Sequence, residues 1–241
     1  MKVEVLSDYV CPFCYIGKRR FEAGLQQFSN KEEVEVTYRS FELDPNARRD
    51  GNPNIHDLLA TKYGMSREQA VANTNQLTQQ AQALGLDYHM DRTIQTNTFD
   101  AHRLSHYAAS QGKLVEMTER LLKAHFTDSL HLGQLETLAD LAAEVGLDRA
   151  EALRVLEEGQ YANEVREDEQ EARALEVRGV PFFVINRKYA VSGAQSSEVF
   201  LEALQKAWLE DHPLVVLGDE KNGAICTDDG CVIPEKAKRP L

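Results

Sequence analysis

The stretch Ser7-Asp8-Tyr9-Val10-Cys11-Pro12-Phe13-Cys14-Tyr15-Ile16-Gly17 contains two cysteines separated by two residues. The residues before it are apolar and typical of a short strand. After it, apolar residues recur at spacings of four and three, which marks one face of a helix; they are Phe21, Leu25 and Phe28. Pro12 suits the first helical position, because that position needs no backbone N–H and proline already has a helical φ. The cysteine pair is therefore predicted to lie where a strand turns into a helix.

Cys11 falls at the N-terminal end of this helix, where backbone N–H groups are unpaired and the helix dipole is positive. Such an environment favours the thiolate, which is the form that attacks a disulfide. Cys14 follows one turn later, close enough to attack a mixed disulfide formed at Cys11. The motif predicts thiol–disulfide exchange with Cys11 as nucleophile and Cys14 as resolving thiol, with Pro12 and Phe13 in contact with the substrate.

Other interpretations of the pair stay open. A disulfide staple across so short a loop adds little stability, and staples are rare in a reducing compartment. Half of a zinc site would need a second cysteine pair, which Cys226 and Cys231 could supply. Two inert buried thiols are the remaining interpretation. The rule for a C-x-x-C motif in a cytosolic protein favours redox chemistry.

The composition is that of a soluble protein. The chain has 241 residues, 42% hydrophobic and 27% charged, which is enough for one or two domains with a substantial core. Its net charge of −12 disfavours nucleic acid and anionic lipid as partners. The first residues show no secretory signal, and no apolar run reaches the ~18 residues of a membrane span. We therefore expect a cytoplasmic location.

The order of the predicted elements decides the fold class. A strand at Val34–Leu43 follows the first helix, so the first two strands should be parallel. From about Asn54 to Gln160 every periodic segment is helical. A further helix then leads to a strand beginning after Pro181, a second strand at Lys188–Val191, and a helix from Ser196 to about Leu209.

This order predicts an α/β fold: a thioredoxin-like mixed sheet with an inserted all-helical domain. The thioredoxin-like part comprises residues 1–45 and 160–210, and the insertion comprises residues 46–159. Residues 211–241 form a C-terminal tail. The insertion lies in the sequence between the two halves of the sheet. It can therefore fold over the Cys11 end of the first helix.

The segment Gly179-Val180-Pro181 is the second informative site. X–Pro bonds are cis in only about 5–6% of cases in folded proteins, so composition alone favours trans. The fold changes this expectation, because a cis-proline loop faces the cysteine pair in thioredoxin-like proteins. We expect a cis Pro181, with the backbone N–H and C=O of Val180 free to pair with an extended substrate.

Three motifs resemble the DsbA-like oxidoreductases of the FrnE type. They are residues 7–22, residues 97–104 (NTFDAHRL), and residues 179–184 (GVPFFV) together with residues 188–195 (KYAVSGAQ). The resemblance covers about residues 1–210 and implies a thioredoxin fold with a helical insertion and exchange at Cys11 and Cys14. The sequence differs from exported DsbA enzymes in lacking a signal peptide and in having Phe13 in place of a histidine. Both differences favour a reductase or isomerase over a strong oxidase.

The same superfamily contains glutathione-dependent 2-hydroxychromene-2-carboxylate isomerases and kappa-type glutathione transferases. Those enzymes have a serine where Cys11 stands, so the cysteine pair argues against their chemistry, although a glutathione contact is compatible with the sequence. His102 and His106 lie four residues apart on one predicted helix, a spacing that can bind metal. Without a third ligand nearby, they are interpreted as surface or domain-interface residues with no catalytic role.

The tail contains the other two cysteines. Residues 224–233 are typical of a hairpin with a four-residue turn, which places Cys226 opposite Cys231 at a separation that a disulfide can span. The preferred interpretation is a second redox pair; a local staple and a metal-binding pair are the alternatives.

Taken together, the sequence predicts a cytoplasmic thiol–disulfide oxidoreductase or isomerase without a cofactor or bound metal. Its partners would be thiol- or disulfide-containing client proteins and a small-molecule or protein reductant, with no nucleic acid and no membrane. Competing hypotheses are a soft-metal protein that uses all four thiolates, a glutathione-dependent enzyme of the same superfamily, and a holdase that binds unfolded chains.

Overall fold

The computed structural model describes residues 1–50, 54–213, 225–227 and 230–232. Residues 1–208 form one compact unit and residues 209–241 a second. The strands of the first unit are β1 (Lys2–Ser7), β2 (Glu35–Ser40), β3 (Phe182–Ile185) and β4 (Tyr189–Ser192). The helices are α1 (Pro12–Gln27), α2 (Ile55–Tyr63), α3 (Arg67–Gln82), α4 (Phe99–Ser110), α5 (Leu114–Phe126), α6 (Leu135–Glu144), α7 (Arg149–Glu157), α8 (Ala162–Ala174) and α9 (Ser197–Asp211).

The four strands form one mixed sheet in the order β2-β1-β3-β4. β1 and β2 are parallel, as predicted from the helix that connects them, with Val5 opposite Tyr38. β3 runs antiparallel to both β1 and β4, and places Phe183 opposite Val5 on the other side. The sheet and the helices inserted into it confirm the predicted thioredoxin-like α/β class.

Helices cover both faces of the sheet. The alternate side chains Val3 and Val5 pack on one face against Phe21 of α1 and Phe200 of α9. Leu6 faces the other way, in a smaller cluster that includes Ala172 of α8. This alternation follows from the period of two along a strand, and it places α1 and α9 on one side of the sheet and α8 on the other.

The inserted helices have a core of their own, which extends to the cysteine motif. Tyr9, Tyr15 and Ile16, which flank the two cysteines, are buried in the same cluster as Leu104 of α4 and Leu121 of α5. The cysteine segment therefore lies where the core of the sheet meets the core of the insertion. The boundaries of the insertion as a separate domain, residues 46–159, stay a prediction.

Strand β2 is shorter than the sequence predicts. It ends at Ser40 rather than at Leu43. The physical reason is that the N–H of Leu43 donates to Asp8 Oδ2 at 2.7 Å. The backbone at Leu43 therefore bonds to the loop before the cysteines and not to a neighbouring strand. None of the helices described is both long and apolar enough to cross a bilayer.

The second unit contains a two-stranded hairpin of β5 (Ile225–Thr227) and β6 (Gly230–Val232). Its register pairs Cys226 with Cys231, as predicted. Thr227 also pairs with Gly230, so these two residues belong to the strands and not, as predicted, to a four-residue turn. The side chains of the hairpin and the remaining residues of the tail lie outside the described part of the chain.

Candidate active site

Cys11 caps the N-terminus of α1, and Pro12 occupies the first helical position, as predicted. Cys11 is 4% exposed and Cys14 2% exposed, and both are free thiols. Cys11 Sγ donates a hydrogen bond to the carbonyl oxygen of Val180 at 3.5 Å. The peptide bond between Val180 and Pro181 is cis. The structure thus brings together the two segments, 11–14 and 179–181, that the sequence identified.

A glycine allows this close approach. A Cβ atom on Gly17 would lie 2.8 Å from Cγ of Pro181, which is closer than real Cβ contacts come. One and a half turns earlier on the same helix, Cys11 meets Val180. The absence of a side chain at Gly17 therefore lets α1 pack directly against the 179–181 loop.

Cys14 lies beneath Cys11, shielded from solvent. The backbone N–H of Asp8 donates to Cys14 Sγ at 3.5 Å. Burial raises the pKa of the Cys14 thiol well above its ordinary value, and the neighbouring Cys11 raises it further. Cys14 is therefore held as a thiol and must lose its proton before it can attack.

A cleft of about 1080 Å³ opens beside Cys11. Cys11, Pro12, Phe13 and Val180 line one side, and side chains of α2 and α3 line the other. Phe13 is 48% exposed, which is unusual for a phenylalanine and leaves an apolar surface next to the thiol. This volume lies at the upper end of the roughly 300–1000 Å³ that is typical of ligand pockets, so the cleft has room for a short peptide segment.

The insertion holds the cysteine motif from the other side. Tyr88 donates its hydroxyl to the carbonyl oxygen of Pro12 at 2.7 Å, and Tyr15 donates to Glu119 of α5 at 2.6 Å. Lys18, which is 3% exposed, contacts Glu119 at 2.6 Å, and Arg19 pairs with the same carboxylate. Burial acts to raise the pKa of Glu119, but these hydrogen bonds outweigh it and lower the pKa to about 2. The ionised carboxylate of Glu119 therefore holds α1 against α5.

The two histidines of α4 lie at the interface between the insertion and the sheet. His102 is 2% exposed and faces Asp8, with Nε2 at 3.4 Å from Oδ1. His106 is 19% exposed and faces Asp168 of α8, with Nε2 at 3.0 Å from Oδ2. The structure therefore favours the interface interpretation of both residues over the surface one. In the described part of the chain, no group of three or more potential ligand side chains could hold a metal ion.

Sequence reasoning missed several residues of this site. Asp8 lies within the cysteine motif, and the motif alone assigns it no role, although a carboxylate at the end of a buried strand is itself a signal. Tyr88 and Glu119 are far from the cysteines in sequence, and no pattern connects them to the motif. Pro12, Phe13, Val180 and Pro181 all lie around Cys11, as expected of substrate-binding residues, but their contact with a substrate stays a prediction.

Comparisons with known proteins agree with this arrangement. Residues 2–205 match the DsbA-like thioredoxin domain. A crystal structure of a probable DsbA oxidoreductase from Streptomyces coelicolor superposes with a TM-score of 0.84 and 43% identity, over 98% of this chain and 100% of that one.

Two further similarities are more distant. The uncharacterised protein YwbO of Bacillus subtilis is 29% identical over 204 residues, which is 84% of this chain and 94% of that protein. The cytosolic disulfide reductase DsbM of Pseudomonas aeruginosa superposes with a TM-score of 0.58 at 16% identity, over 88% of this chain and 98% of that one. The chain thus belongs to the DsbA-like thioredoxin family of thiol–disulfide oxidoreductases.

Proposed function

We propose that this protein reduces or isomerises disulfide bonds in client proteins, with Cys11 as the nucleophile and Cys14 as the resolving thiol. The observation that carries the proposal is the asymmetry of the pair. Both thiols are buried, but Cys11 lies at the N-terminus of α1 and lines the cleft, whereas Cys14, one turn further along, does not line it. An attacking thiol needs access to the substrate, and a resolving thiol needs only access to the first sulfur.

The exchange proceeds in two steps. The Cys11 thiolate attacks one sulfur of the client disulfide, the client S–S bond breaks, and the other client sulfur leaves as a thiolate. Cys14 then loses its proton and attacks the Cys11 sulfur, which forms the Cys11–Cys14 disulfide and releases the second client thiolate. The client gains two electrons and two protons, and a small-molecule or protein dithiol returns them to the enzyme. In isomerisation, another client thiol releases Cys11 without the help of Cys14.

Two features support a client protein as the substrate. The cleft lies at the upper end of the size range of ligand pockets, and the exposed ring of Phe13 offers an apolar contact next to the reactive sulfur. The carbonyl oxygen of Val180 lies beside Cys11 Sγ, where an extended chain bound to Cys11 would meet it. The location we propose is the cytoplasm, as for the DsbM reductase that shares the fold. We assign the chain to the FrnE type on its three sequence motifs.

The experiment that tests the proposal is insulin reduction with dithiothreitol as the electron donor. Cys11→Ser should lose at least 100-fold in rate, because no other described thiol lines the cleft. Cys14→Ser should retain the first attack but lose turnover. Glu151→Gln on α7, which lies outside the cleft lining and leaves both thiols in place, serves as the control. A Cys11→Ser variant that reduces insulin at the wild-type rate would contradict the proposal.

We also propose that Cys226 and Cys231 act as a second redox pair, since the hairpin register sets them opposite each other. In the same assay, replacing both with serine should slow multiple turnovers and leave a single attack by Cys11 intact. An unchanged turnover rate with a lower melting temperature would instead identify the pair as a staple.

A further inference from the structure

Two positively charged side chains line the cleft beside Cys11. Arg48 lies in the loop between β2 and α2, and Lys62 lies near the C-terminal end of α2; both are exposed. Thiol–disulfide exchange needs neither of them, because its two steps involve only sulfur atoms and protons. Their position in the cleft points instead to a role in recognising the substrate.

These two cations lack the partners that neighbouring charges have. Arg49, the next residue after Arg48, forms an ion pair with Asp100. Asp57, the acidic residue of α2, is paired with a residue of α3 at 2.9 Å. Neither Arg48 nor Lys62 forms an ion pair with a described residue. Because the nearby carboxylates are already engaged, both cations are available to a carboxylate from outside.

Two carboxylates also line the cleft, but they do not cancel this charge. Asp8 is 1% exposed, and its Oδ2 accepts from the N–H of Leu43. Asp44 is exposed, and its Oδ1 accepts from the N–H of Asn46 at 3.0 Å. The exposed charges of the lining are thus two cations and one carboxylate, a net charge of +1, whereas the whole chain has −12. A cleft more positive than the protein around it concentrates anionic partners.

Helix α3 adds a row of carboxamide side chains to the lining. Asn73, Gln76 and Gln80 all line the cleft, and their spacings of three and four place them on one face of the helix. A carboxamide both donates and accepts hydrogen bonds. Such a row can pair with the N–H and C=O groups of an extended polypeptide whatever its side chains are. It therefore favours a chain segment over a small anion as the occupant.

Exposed apolar side chains are concentrated in the same place. The described part of the chain exposes seven large apolar side chains, and three of them line this cleft: Phe13, Leu43 and Tyr63. Tyr63 directly follows Lys62, so an aromatic ring and a cation are neighbours at the end of α2. The cleft thus offers apolar, amide and cationic contacts together, which suits a polypeptide that carries negative charge.

We propose that the cleft selects client segments in which acidic side chains flank the cysteine of the reactive disulfide, with Arg48 and Lys62 as the specificity-determining residues. This inference rests on the proposed exchange at Cys11. The client main chain lies along the amide row of α3, and its carboxylates pair with the two cations. Its disulfide then reaches Cys11 Sγ. Recognition itself forms and breaks no covalent bond.

The expected preference is modest, because both cations are exposed. One exposed ion pair strengthens binding by up to about fivefold, so two pairs together should give roughly tenfold. The preference should also depend on salt. The Debye length falls from about 10 Å at 0.1 M to about 3 Å at 1 M, so 1 M NaCl should reduce the preference to roughly twofold.

The experiment uses three peptides of equal length, each with one cysteine linked to thionitrobenzoate by a disulfide. The residues on either side of the cysteine are both Glu, both Gln or both Lys. The protein carries Cys14→Ser, Cys226→Ser and Cys231→Ser, so that Cys11 is its one remaining thiol. Attack by Cys11 forms a disulfide with the peptide and releases coloured thionitrobenzoate, which stopped flow at pH 7 follows. Each rate is divided by the rate with 2-mercaptoethanol, a neutral thiol, to remove intrinsic differences between the peptides.

The Glu peptide should react about tenfold faster than the Gln peptide, and the Lys peptide should be the slowest. Arg48→Gln combined with Lys62→Gln should bring the Glu-to-Gln ratio within twofold. The matched control is Lys2→Gln combined with Lys31→Gln. It changes the net charge equally, and neither residue lines the cleft, so it should keep the ratio.

The mixed disulfide of mercaptosuccinate, which carries two carboxylates but no main chain, tests the occupant. Its rate should fall less than threefold when both cleft cations are replaced. A fall as large as that of the Glu peptide would overturn the proposal in favour of a small acid.

A Glu-to-Gln ratio within twofold in the parent, or an equal loss of the ratio in the control variant, would also overturn it. Release from none of the peptides would instead contradict the proposed function, because Cys11 would then not attack.

Discussion

Two aspartate–histidine contacts join α4 to the sheet and its flanking helices, and they differ in how completely the carboxylate is paired. Asp168 accepts from the Ser40 N–H, lies 3.0 Å from His106 Nε2 and 3.1 Å from Arg39 Nη1. Asp8 accepts from one backbone N–H, and its other oxygen faces His102 without a hydrogen bond. We call the Asp168 contact a closed network, because both carboxylate oxygens are paired. The Asp8 contact is an open one, because Oδ1 has no hydrogen-bond partner among the described residues.

The difference shows which of the two carboxylates is fully stabilised by its partners and which is not. Burial acts to raise the pKa of Asp168, but hydrogen bonds from His106 and from the Ser40 backbone outweigh it, so the pKa lies below its ordinary range. A carboxylate that is stabilised in this way stays ionised and holds α4 and α8 together. The Asp8 carboxylate has only one such partner, the N–H of Leu43, while the backbone N–H of Asp8 contacts the resolving thiol.

The largest expected effect on stability is at the closed network. Asp168→Asn should lower the free energy of unfolding by about 2 kcal/mol, because it removes the charge that Asp168 presents to Arg39 and His106, although Arg39 keeps its ion pair with Glu4. Asp8→Asn should cost about 1 kcal/mol or less, since the amide oxygen can still accept from Leu43. Urea unfolding at pH 7 measures both values.

Asp57→Asn is the control for this pair of variants. Asp57 forms an exposed ion pair with Arg67 at 2.9 Å, and such pairs contribute about 0–1 kcal/mol. The comparison fails if Asp8→Asn destabilises the protein as much as Asp168→Asn does, because Asp8 would then be a structural residue of the same kind.

The stability of the two regions should also depend differently on pH. His125 lies near Asp8 and has its pKa lowered by burial to about 4, so the unfolded chain binds a proton there more readily below about pH 6.5. Stability from the neutral His125 is thus present above pH 6.5 and is lost as pH falls towards 4, by up to about 3 kcal/mol. His125→Met, which cannot titrate, should flatten the stability curve in this window.

Asp168 provides the contrast. Its lowered pKa means that its contribution is present above about pH 4 and is lost only below that value. Asp168→Asn should therefore change the curve at the acid end and leave its slope between pH 6.5 and 4 as it was. Urea unfolding at half-unit pH steps measures both curves, and identical slopes for His125→Met and the unsubstituted protein would contradict the assignment.

The same comparison shows what could be predicted from the sequence. The cysteine motif and the 179–181 loop were recognisable, because both are local patterns whose residue types follow from strand, turn and helix chemistry. The parallel pairing of β1 and β2 followed from the helix between them. The class of fold therefore needed no information from distant contacts.

The two polar contacts were beyond such reasoning. The sequence placed His102 and His106 on one helix but could not show which carboxylates they meet, because Asp8 is 94 residues from His102 and Asp168 is 62 residues from His106 in the chain. The end of β2 was misjudged for the same reason. Leu43 alternates as a strand residue should, but its N–H is taken by the side chain of Asp8.

The central claim is that Cys11 forms the bond to the client and Cys14 resolves it. Intact-protein mass spectrometry of reduced variants mixed with scrambled ribonuclease tests it most directly, with Cys226 and Cys231 replaced by serine throughout. Cys14→Ser should accumulate a covalent complex with the client through Cys11, whereas Cys11→Ser should form none. A complex that forms equally well in Cys11→Ser, or that never forms in Cys14→Ser, would contradict the claim.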